Sequence, residues 1–266
     1  MVHYFYDIWQ ERSNGAQVDN EKHLIIDTCI LAGKIMLENG SEVYRVEDTI
    51  ERIAENAGQT DCVSYITATG LFVGFRSSSH TQLENISQRA INLEKVSAVN
   101  DLSRKFAAKE LTIHELNRQL HRVDTDIPEF PLSWQILAAG IVSCTLMYIF
   151  GGTWQDFPAT FVIGMVGFGL LLSVQNILKI PFLGDFLAAF AIGFFAYLAV
   201  SWHFAANLDN IIIGAVMPLV PGVAITNAFR DILAGHLISG TARITEAIFV
   251  ASSIGIGIAV VFKLFM

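Results

Sequence analysis

The stretch Gly214–Asp231, GAVMPLVPGVAITNAFRD, indicates a membrane segment whose helix is interrupted. It overlaps an uncharged interval, residues 210–229, and crossing the hydrocarbon core of a bilayer takes about 20 apolar residues. Pro218 and Pro221 each lack a backbone N–H donor, and Gly222 loosens the chain further, so we do not expect a continuous helix there. Open backbone at membrane depth is tolerated only against protein or water, and in transporters it commonly forms the binding site.

The half-helix after the break carries the polar residues of this segment. Its N-terminus presents free N–H groups and a partial positive charge, which favour an anion. Arg230 is expected to pair with Asp231 at rest, or with a substrate carboxylate. The predicted substrate-binding residues are Pro218, Pro221, Gly222, Thr226, Asn227, Arg230 and Asp231. The alternative is that the two prolines only kink the helix and that Arg230 and Asp231 mark its cytosolic end.

Charge is distributed very unevenly along the 266 residues. Of the 42 charged residues only 9 lie in residues 132–266, and the whole chain is 53% hydrophobic and 16% charged, whereas soluble domains carry about 25% charged residues. The last uncharged interval has 16 residues and spans a bilayer if Lys263 extends to the interface. Five transmembrane helices are therefore predicted, in the uncharged intervals 130–155, 157–178, 186–208, 210–229 and 247–262.

The short loops predict the orientation. If the N-terminal region lies inside, the inner connections contain Lys179, Arg230 and Arg243, and the outer ones contain no Lys or Arg. Residues 1–20 lack the basic and apolar regions of a signal peptide. We therefore expect a multi-pass protein of the plasma (inner) membrane with a cytoplasmic N-terminus and the C-terminus outside.

The N-terminal half reads as an α+β domain. Apolar periodicity predicts helices over residues 20–39 and 41–57, the second ending at Gly58, and β-branched and aromatic residues predict a hairpin over residues 62–76 with a turn at Thr69-Gly70. A third strand follows near residues 83–91, and then helices at 93–108 and 112–123, the last opened by a Thr112/Glu115 capping box. The predicted fold is a membrane protein with a cytosolic α+β domain, 1–130, followed by an all-α bundle of five transmembrane helices, 131–266.

A dense polar cluster lies at the start of the second predicted helix. It is a candidate functional cluster of the cytosolic domain, made of Tyr44, Arg45, Glu47 and Asp48, with Glu42 beside it. The alternative is a solvated helix face, on which Glu42, Arg45 and Asp48 point outwards and the acidic residues favour the helix dipole.

Several functional classes are disfavoured. The net charge of −8 would repel a phosphate backbone, so no nucleic-acid partner is expected. The cysteines, Cys29, Cys62 and Cys144, are too scattered for a disulfide framework or a metal site, and His80, His114 and His121 lack metal-ligand spacing. No hydrolase, P-loop or dinucleotide motif is present. We therefore predict no catalytic residue, no metal and no cofactor.

Three motifs in order resemble the threonine/serine exporter (ThrE-like) family: GSEVYRVEDT at 40–49, TATGLFVGF at 67–75 and PLVPGVAITNAFRD at 218–231. The chain is similar to the large subunit of the split form of that family. The resemblance implies export of hydroxy amino acids or C4 dicarboxylates, driven by an ion gradient. It also implies a separate small membrane subunit (YjjB-like) as partner, besides membrane lipid and the carboxylate substrate, and it leaves a homo-oligomer open.

The charge count favours amino acids slightly over dicarboxylates. A dicarboxylate would favour two cationic sites, whereas the spans offer only Arg230 and the helix end. An amino acid needs an acidic partner for its ammonium group, which Asp231 would supply. Two other classes stay open: a membrane-anchored sensor or regulatory subunit, and a membrane-tethered hydrolase with its site in residues 41–91.

Overall fold

The computed structural model describes residues 2–77, 81–86, 90–128, 130–178, 180 and 182–265, with side chains from Asn20 onward. His80, Lys179 and residues 87–89 of the predicted third strand lie outside the described residues. The elements in chain order are α1 Val2–Glu38, α2 Val43–Asn56, β1 Cys62–Thr67, β2 Gly70–Phe75, β3 Thr81–Asn85, α3 Leu93–Ala107, α4 Ile113–Asp126, α5 Leu132–Ile149, α6 Phe157–Leu178, α7 Leu183–Ser201, α8 Leu208–Val216, α9 Gly222–Leu233 and α10 Leu237–Phe265.

The chain divides into two compact units that are not continuous in sequence. The first comprises Met1–Glu129 and Thr226–Arg243, and the second comprises Phe130–Ile225 and Ile244–Met266. The C-terminal part of α9 and the start of α10 therefore belong to the same unit as the N-terminal half of the chain.

In the first unit, α1 and α2 pack against a three-stranded antiparallel sheet of order β1-β2-β3. The apolar stripe predicted for α2, Val43, Val46, Ile50 and Ile53, is fully buried. A Cβ at Gly33 would lie only 2.9 Å from Cδ1 of Ile50, so the glycine lets α1 and α2 approach closely. The helices and the sheet share one core, as expected of an α+β domain.

Three predicted boundaries in this unit are wrong. Helix α1 begins at Val2 rather than near residue 20, because the polar run QERSNG at residues 10–15, which is helical as well, interrupts the apolar periodicity. The hairpin turn is Ala68-Thr69, and Gly70 already belongs to β2, where a Cβ would lie 3.0 Å from the carbonyl oxygen of Glu84 in β3. Strand β3 covers Thr81–Asn85, earlier than predicted.

The second unit is made of long apolar helices. Four helices of the described chain are long and apolar enough to cross a membrane: α5, α6, α7 and α10. The pair Leu208–Leu219 and Gly222–Leu233 would make a fifth span if its two halves count as one. Small residues bring the helices together, since a Cβ at Gly164 would lie 2.2 Å from Oγ of Ser143 on α5, and one at Gly214 would lie 2.6 Å from the carbonyl oxygen of Ser143.

The buried carboxylate of Asp156 links the connection between α5 and α6 to the connection between α7 and α8. Asp156, immediately before α6, is fully buried and accepts hydrogen bonds from the backbone N–H groups of Ala206 and Asn207, at 2.7 and 3.1 Å, and from Oγ1 of Thr153 at 2.9 Å. Burial raises the pKa of Asp156, but these hydrogen bonds outweigh it, so the pKa of Asp156 lies below its ordinary value. A lowered folded-state pKa means that ionised Asp156 stabilises the fold at neutral pH.

Replacing Asp156 by Asn should lower the free energy of unfolding by about 1–2 kcal/mol at pH 7, because charge-assisted hydrogen bonds become neutral ones. This stabilisation is present above the unfolded pKa, about 4, and is lost as the pH falls through the folded-state pKa. The difference in thermal unfolding between Asp156→Asn and the parent should therefore shrink below about pH 4. The exposed Asp209 provides the matched Asn control. An equal difference at pH 3 and pH 7 would contradict the role of the ionised group.

Candidate functional site

The predicted interruption of the helix is confirmed. Helix α8 ends at Val216, a 3-10 turn covers Met217–Leu219, Val220 is extended, and α9 begins at Gly222. The two halves differ in direction by 56°. Pro218 lies in the turn, and Pro221 precedes α9, where its carbonyl accepts the N–H of Ile225 at 3.0 Å.

Glycine at position 222 is not required by packing. A Cβ built on Gly222 would meet no heavy atom of the described residues within 4 Å, and the residue is exposed. The prolines, rather than this glycine, account for the break, because each removes a helical hydrogen bond.

The part of α9 that follows holds the other predicted site residues. Thr226 and Arg230 are exposed, whereas Asn227 is 6% exposed and Asp231 is fully buried. All four belong to the first unit, where Asn227, Arg230 and Asp231 bind residues just before and at the start of α2.

Four consecutive residues, Gly40–Val43, each bind a different side chain of the segment 226–243; we call this set the Gly40–Val43 junction. The carbonyl oxygen of Gly40 accepts from Nδ2 of Asn227 at 2.9 Å, and that of Ser41 accepts from Nη2 of Arg243 at 3.0 Å. Oε1 of Glu42 accepts from Nη1 of Arg230 at 2.5 Å, and the N–H of Val43 donates to Oδ1 of Asp231 at 2.9 Å.

The backbone conformation after α1 leaves the polar groups of the junction available to side chains of another segment. Gly40 has φ +92°, a left-handed conformation that glycine adopts without the steric cost of a Cβ. The chain then enters α2 with Glu42 as N-cap residue, but the Glu42 side chain does not cap the helix. The first N–H groups of a helix have no partner within it, and the partial charge at that end favours an anion. Asp231 supplies both the acceptor for Val43 and the negative charge.

Asp231 also forms an ion pair with a buried arginine, Arg243. Nη1 of Arg243 lies 3.6 Å from Oδ2 of Asp231, and the side chain of Arg243 is only 8% exposed. A buried carboxylate is costly unless it is paired and hydrogen-bonded, and here it has one ion pair and one backbone donor.

The expected pairing of Arg230 with Asp231 is wrong. Adjacent residues on a helix point about 100° apart, so Arg230 meets Glu42 while Asp231 meets Val43 and Arg243. The prediction that Glu42 faces outwards is also wrong, since Glu42 is 6% exposed. On an isolated helix Glu42 would face outwards, but here α9 covers it and brings Arg230 to the Glu42 carboxylate.

The carboxylate of Glu42 is shared between two arginines. Oε1 binds Arg230 and Oε2 lies 3.3 Å from Nε of Arg45. Burial raises the pKa of Glu42, but hydrogen bonds from its own backbone N–H and from Arg230, together with the charge of Arg45, lower it below the ordinary value. Glu42 is therefore held ionised between Arg230 and Arg45.

The rest of the predicted cluster divides between two surfaces. Oε2 of Glu47 lies 3.3 Å from Nε2 of His236, in the turn between α9 and α10, beside a cavity of about 320 Å³. Tyr44, Arg45 and Asp48 line a different cavity between α2 and α3. Arg45 and Asp48 are exposed, which agrees with the solvated-face alternative for these two, and Tyr44 is exposed as well.

Sequence reasoning missed the roles of Arg243 and His236. A cationic residue close to an apolar run was a usable signal, because ionisable groups at such positions generally pair with one another or with backbone carbonyls. Arg243 pairs in both ways, with Asp231 and with Ser41. Among the described residues no group of three or more His, Cys, Asp or Glu side chains is arranged to hold a metal ion.

Comparison with known proteins identifies the family. Residues 27–265 match the family described as "Putative threonine/serine exporter" (ThrE). The chain belongs to the ThrE family. The match includes both halves of the Gly40–Val43 junction and the broken helix, and it confirms the resemblance inferred from the three motifs. The family is one of transporters rather than enzymes, and with its apolar helices the chain is a multi-pass membrane protein.

Two relatives extend this comparison. The chain is 20% identical over 258 residues to a "Probable threonine/serine exporter" of Mycobacterium tuberculosis, which covers 94% of this chain but only 48% of the relative. It is 22% identical over 245 residues to the "Probable succinate transporter subunit YjjP" of Klebsiella aerogenes, covering 90% of this chain and 94% of that protein. The chain thus spans about half of the first relative and nearly all of the second. No solved structure matches it.

The junction predicts a graded response at Asp231. Asp231→Ala removes the acceptor for Val43 and leaves Arg243 without its carboxylate, so it should lower the free energy of unfolding by about 3–5 kcal/mol. Asp231→Asn keeps an acceptor oxygen and should cost about 1–3 kcal/mol. Thermal unfolding in detergent or nanodiscs measures both, with the exposed Asp209→Asn as control. Equal stability of Asp231→Ala and the parent would contradict the capping role.

Proposed function

We propose that this chain is a subunit of a secondary transporter that exports small polar carboxylates across the plasma membrane. In this proposal residues 1–130 lie in the cytosol with the N-terminus, residues 131–266 form five spans counting the bent pair as one, and the C-terminus lies outside. Membership of the ThrE family supports the transporter class, and the apolar helices support the membrane topology.

One observation carries the site assignment: the guanidinium of Arg230 follows a break in an apolar helix pair and is half-exposed, although it is hydrogen-bonded to Glu42. The side chain of Arg230 is 54% exposed, whereas that of Glu42 is 8% exposed. A substrate carboxylate would therefore reach Arg230 from the open side and bind through its planar fork. Pro218, Pro221, Gly222, Thr226 and Asn227 are the other residues of this segment proposed for the site.

The ion pair between Arg230 and Glu42 favours a substrate that carries both a negative and a positive charge. A carboxylate that takes Arg230 from Glu42 leaves Glu42 with Arg45 only, and an ammonium group on the same substrate would restore the lost charge. A dicarboxylate would instead bring a second negative charge beside Glu42. Asp231 is less suited to the ammonium role, because it is fully buried and bound to Val43 and Arg243. We therefore propose threonine/serine-type amino acids before succinate-type C4 dicarboxylates, with Glu42 as the acidic partner.

A separate membrane subunit, YjjB-like, is the proposed partner. The Mycobacterium tuberculosis relative is about twice as long as the region it shares with this chain, and the Klebsiella aerogenes relative is named as a subunit.

Efflux of loaded threonine, serine and succinate from cells lacking endogenous exporters tests the function. Cells would express this chain, the candidate small subunit, or both. We expect efflux only with both subunits, and faster efflux of the amino acids because both charges of a zwitterion are matched. Verified insertion of both chains with no efflux of any substrate would argue for the sensor or regulatory alternative.

Arg230 should be required for transport. Arg230→Gln removes the charge that would bind the carboxylate and should reduce efflux at least about tenfold, and Arg230→Lys, which keeps the charge but loses the planar fork, should recover only part of it. Arg122→Gln is the matched control, because Arg122 is an exposed arginine of α4 outside the proposed site. Parent-like efflux by a correctly inserted Arg230→Gln protein would remove Arg230 from the site.

The acidic partner can be assigned by comparing two neutral variants. If Glu42 binds the ammonium group, Glu42→Gln should reduce threonine efflux more than succinate efflux, whereas Asp231→Asn should reduce both in proportion to its loss of stability. A threonine-selective loss in Asp231→Asn with a parent-like Glu42→Gln would reverse the assignment.

A further inference from the structure

A cavity of about 670 Å³ lies between α2 and α3, within the first unit and separate from the Gly40–Val43 junction. Volumes of about 300–1,000 Å³ are typical of small-molecule sites. Three arginines from two helices line it, together with Tyr44 and Asn100: Arg45, Arg52 and Arg104. Nothing in the proposed transport path uses this cavity.

Both acidic residues that line the cavity already form ion pairs with basic residues of the protein. Asp48 forms an ion pair with Nη2 of Arg52, and Asp101 forms one with Nζ of Lys105 at 2.7 Å. Nη1 of Arg52 donates to Oγ of Ser103 on α3 at 3.3 Å, so Arg52 is held between the two helices. The negative charge in the cavity is therefore largely neutralised by the protein.

Two guanidinium groups keep donors for a ligand. Arg45 uses Nε for Glu42 and for Oη of Tyr44, at 3.3 and 3.1 Å, so its two terminal nitrogens form no hydrogen bond with the described residues. Arg104 is exposed, and its guanidinium forms no ion pair or hydrogen bond with any residue that the structure describes. Guanidinium forks match the oxygens of carboxylates and phosphates.

We propose that the α2–α3 cavity binds a small multivalent anion, a metabolite bearing carboxylate or phosphate groups, through Arg45 and Arg104. Arg52, fixed by Asp48 and Ser103, forms part of the wall. Tyr44 and Leu93, 36% and 61% exposed, provide apolar surface for the organic part of the ligand.

The cavity also connects to Arg230 through one carboxylate, and this part of the inference rests on the proposed function. Glu42 binds Arg45 through Oε2 and Arg230 through Oε1. An anion that draws Arg45 into the cavity leaves Glu42 neutralised by Arg230 alone, so Arg230 is held more tightly and is less available to substrate. The bound anion therefore inhibits export, and the coupling acts in both directions.

Isothermal titration calorimetry on the purified full chain in nanodiscs tests the site, with pyrophosphate and citrate as separate probes. The tighter probe identifies phosphate or carboxylate as the preferred group. Arg104→Gln should weaken its binding at least about tenfold, because it removes a charge-assisted contact. Arg122→Gln, an exposed arginine of α4 outside the cavity, should bind like the parent. Binding of neither probe, or equal binding by Arg104→Gln and the parent, would overturn the site.

Transport assays test the coupling with the same variants. In inverted vesicles that contain both subunits, where the cavity would face the bath, export is measured as threonine uptake. The tighter anion should slow that uptake about fivefold or more in the parent and in Arg122→Gln, but not in Arg104→Gln. Equal inhibition of Arg104→Gln and the parent would overturn the coupling. Calorimetry measures binding without transport, so failure of the export proposal would show as absent efflux with anion binding intact.

Discussion

The hydrogen bond from the N–H of Val43 to Asp231 is the constraint on which the arrangement of the first unit depends. It joins residues 188 positions apart, and it satisfies a helix N-terminus that its own N-cap side chain leaves uncapped. Once Asp231 is fixed there, the helical turn of α9 places Asn227 and Arg230 against Gly40 and Glu42. Arg243 completes the charge balance, so the carboxylate of Asp231 lies between a helix end and a guanidinium.

In this geometry the two buried acidic residues, Asp231 and Glu42, have different kinds of partner. Asp231 is fully buried, and its bonds hold α2 and α9 together. Glu42 is also buried, but its partners Arg45 and Arg230 are both exposed and both reach open space. A structural role therefore suits Asp231, and an exchangeable pairing suits Glu42, because exposed partners can be taken by a competing anion with little loss of packing.

Sequence predicted what is determined locally. The apolar intervals carry helices, the interruption at Pro218 and Pro221 is present, and the Thr112/Glu115 capping box forms as its spacing indicates. The pairings of Glu42, Arg230 and Asp231 could not be predicted. They depend on the packing of α9 against α2, and the paired residues are 188 positions apart in the sequence. The start of α1 was missed for a different reason: the polar run at residues 10–15 is helical but interrupts the apolar periodicity, so no continuous apolar face marks the helix.

The long sequence separation of the cap has a consequence for biosynthesis. Chains fold from the N-terminus as they are made, so α2 leaves the ribosome long before the residue that caps it. Until residues 226–243 have been synthesised, the N–H of Val43 lacks Asp231, and the carboxylate of Glu42 has Arg45 but lacks Arg230. Completion of the N-terminal unit is thereby tied to correct placement of the later membrane segments, and a chain whose α9 fails to insert would display an unfinished helix end to cellular quality control.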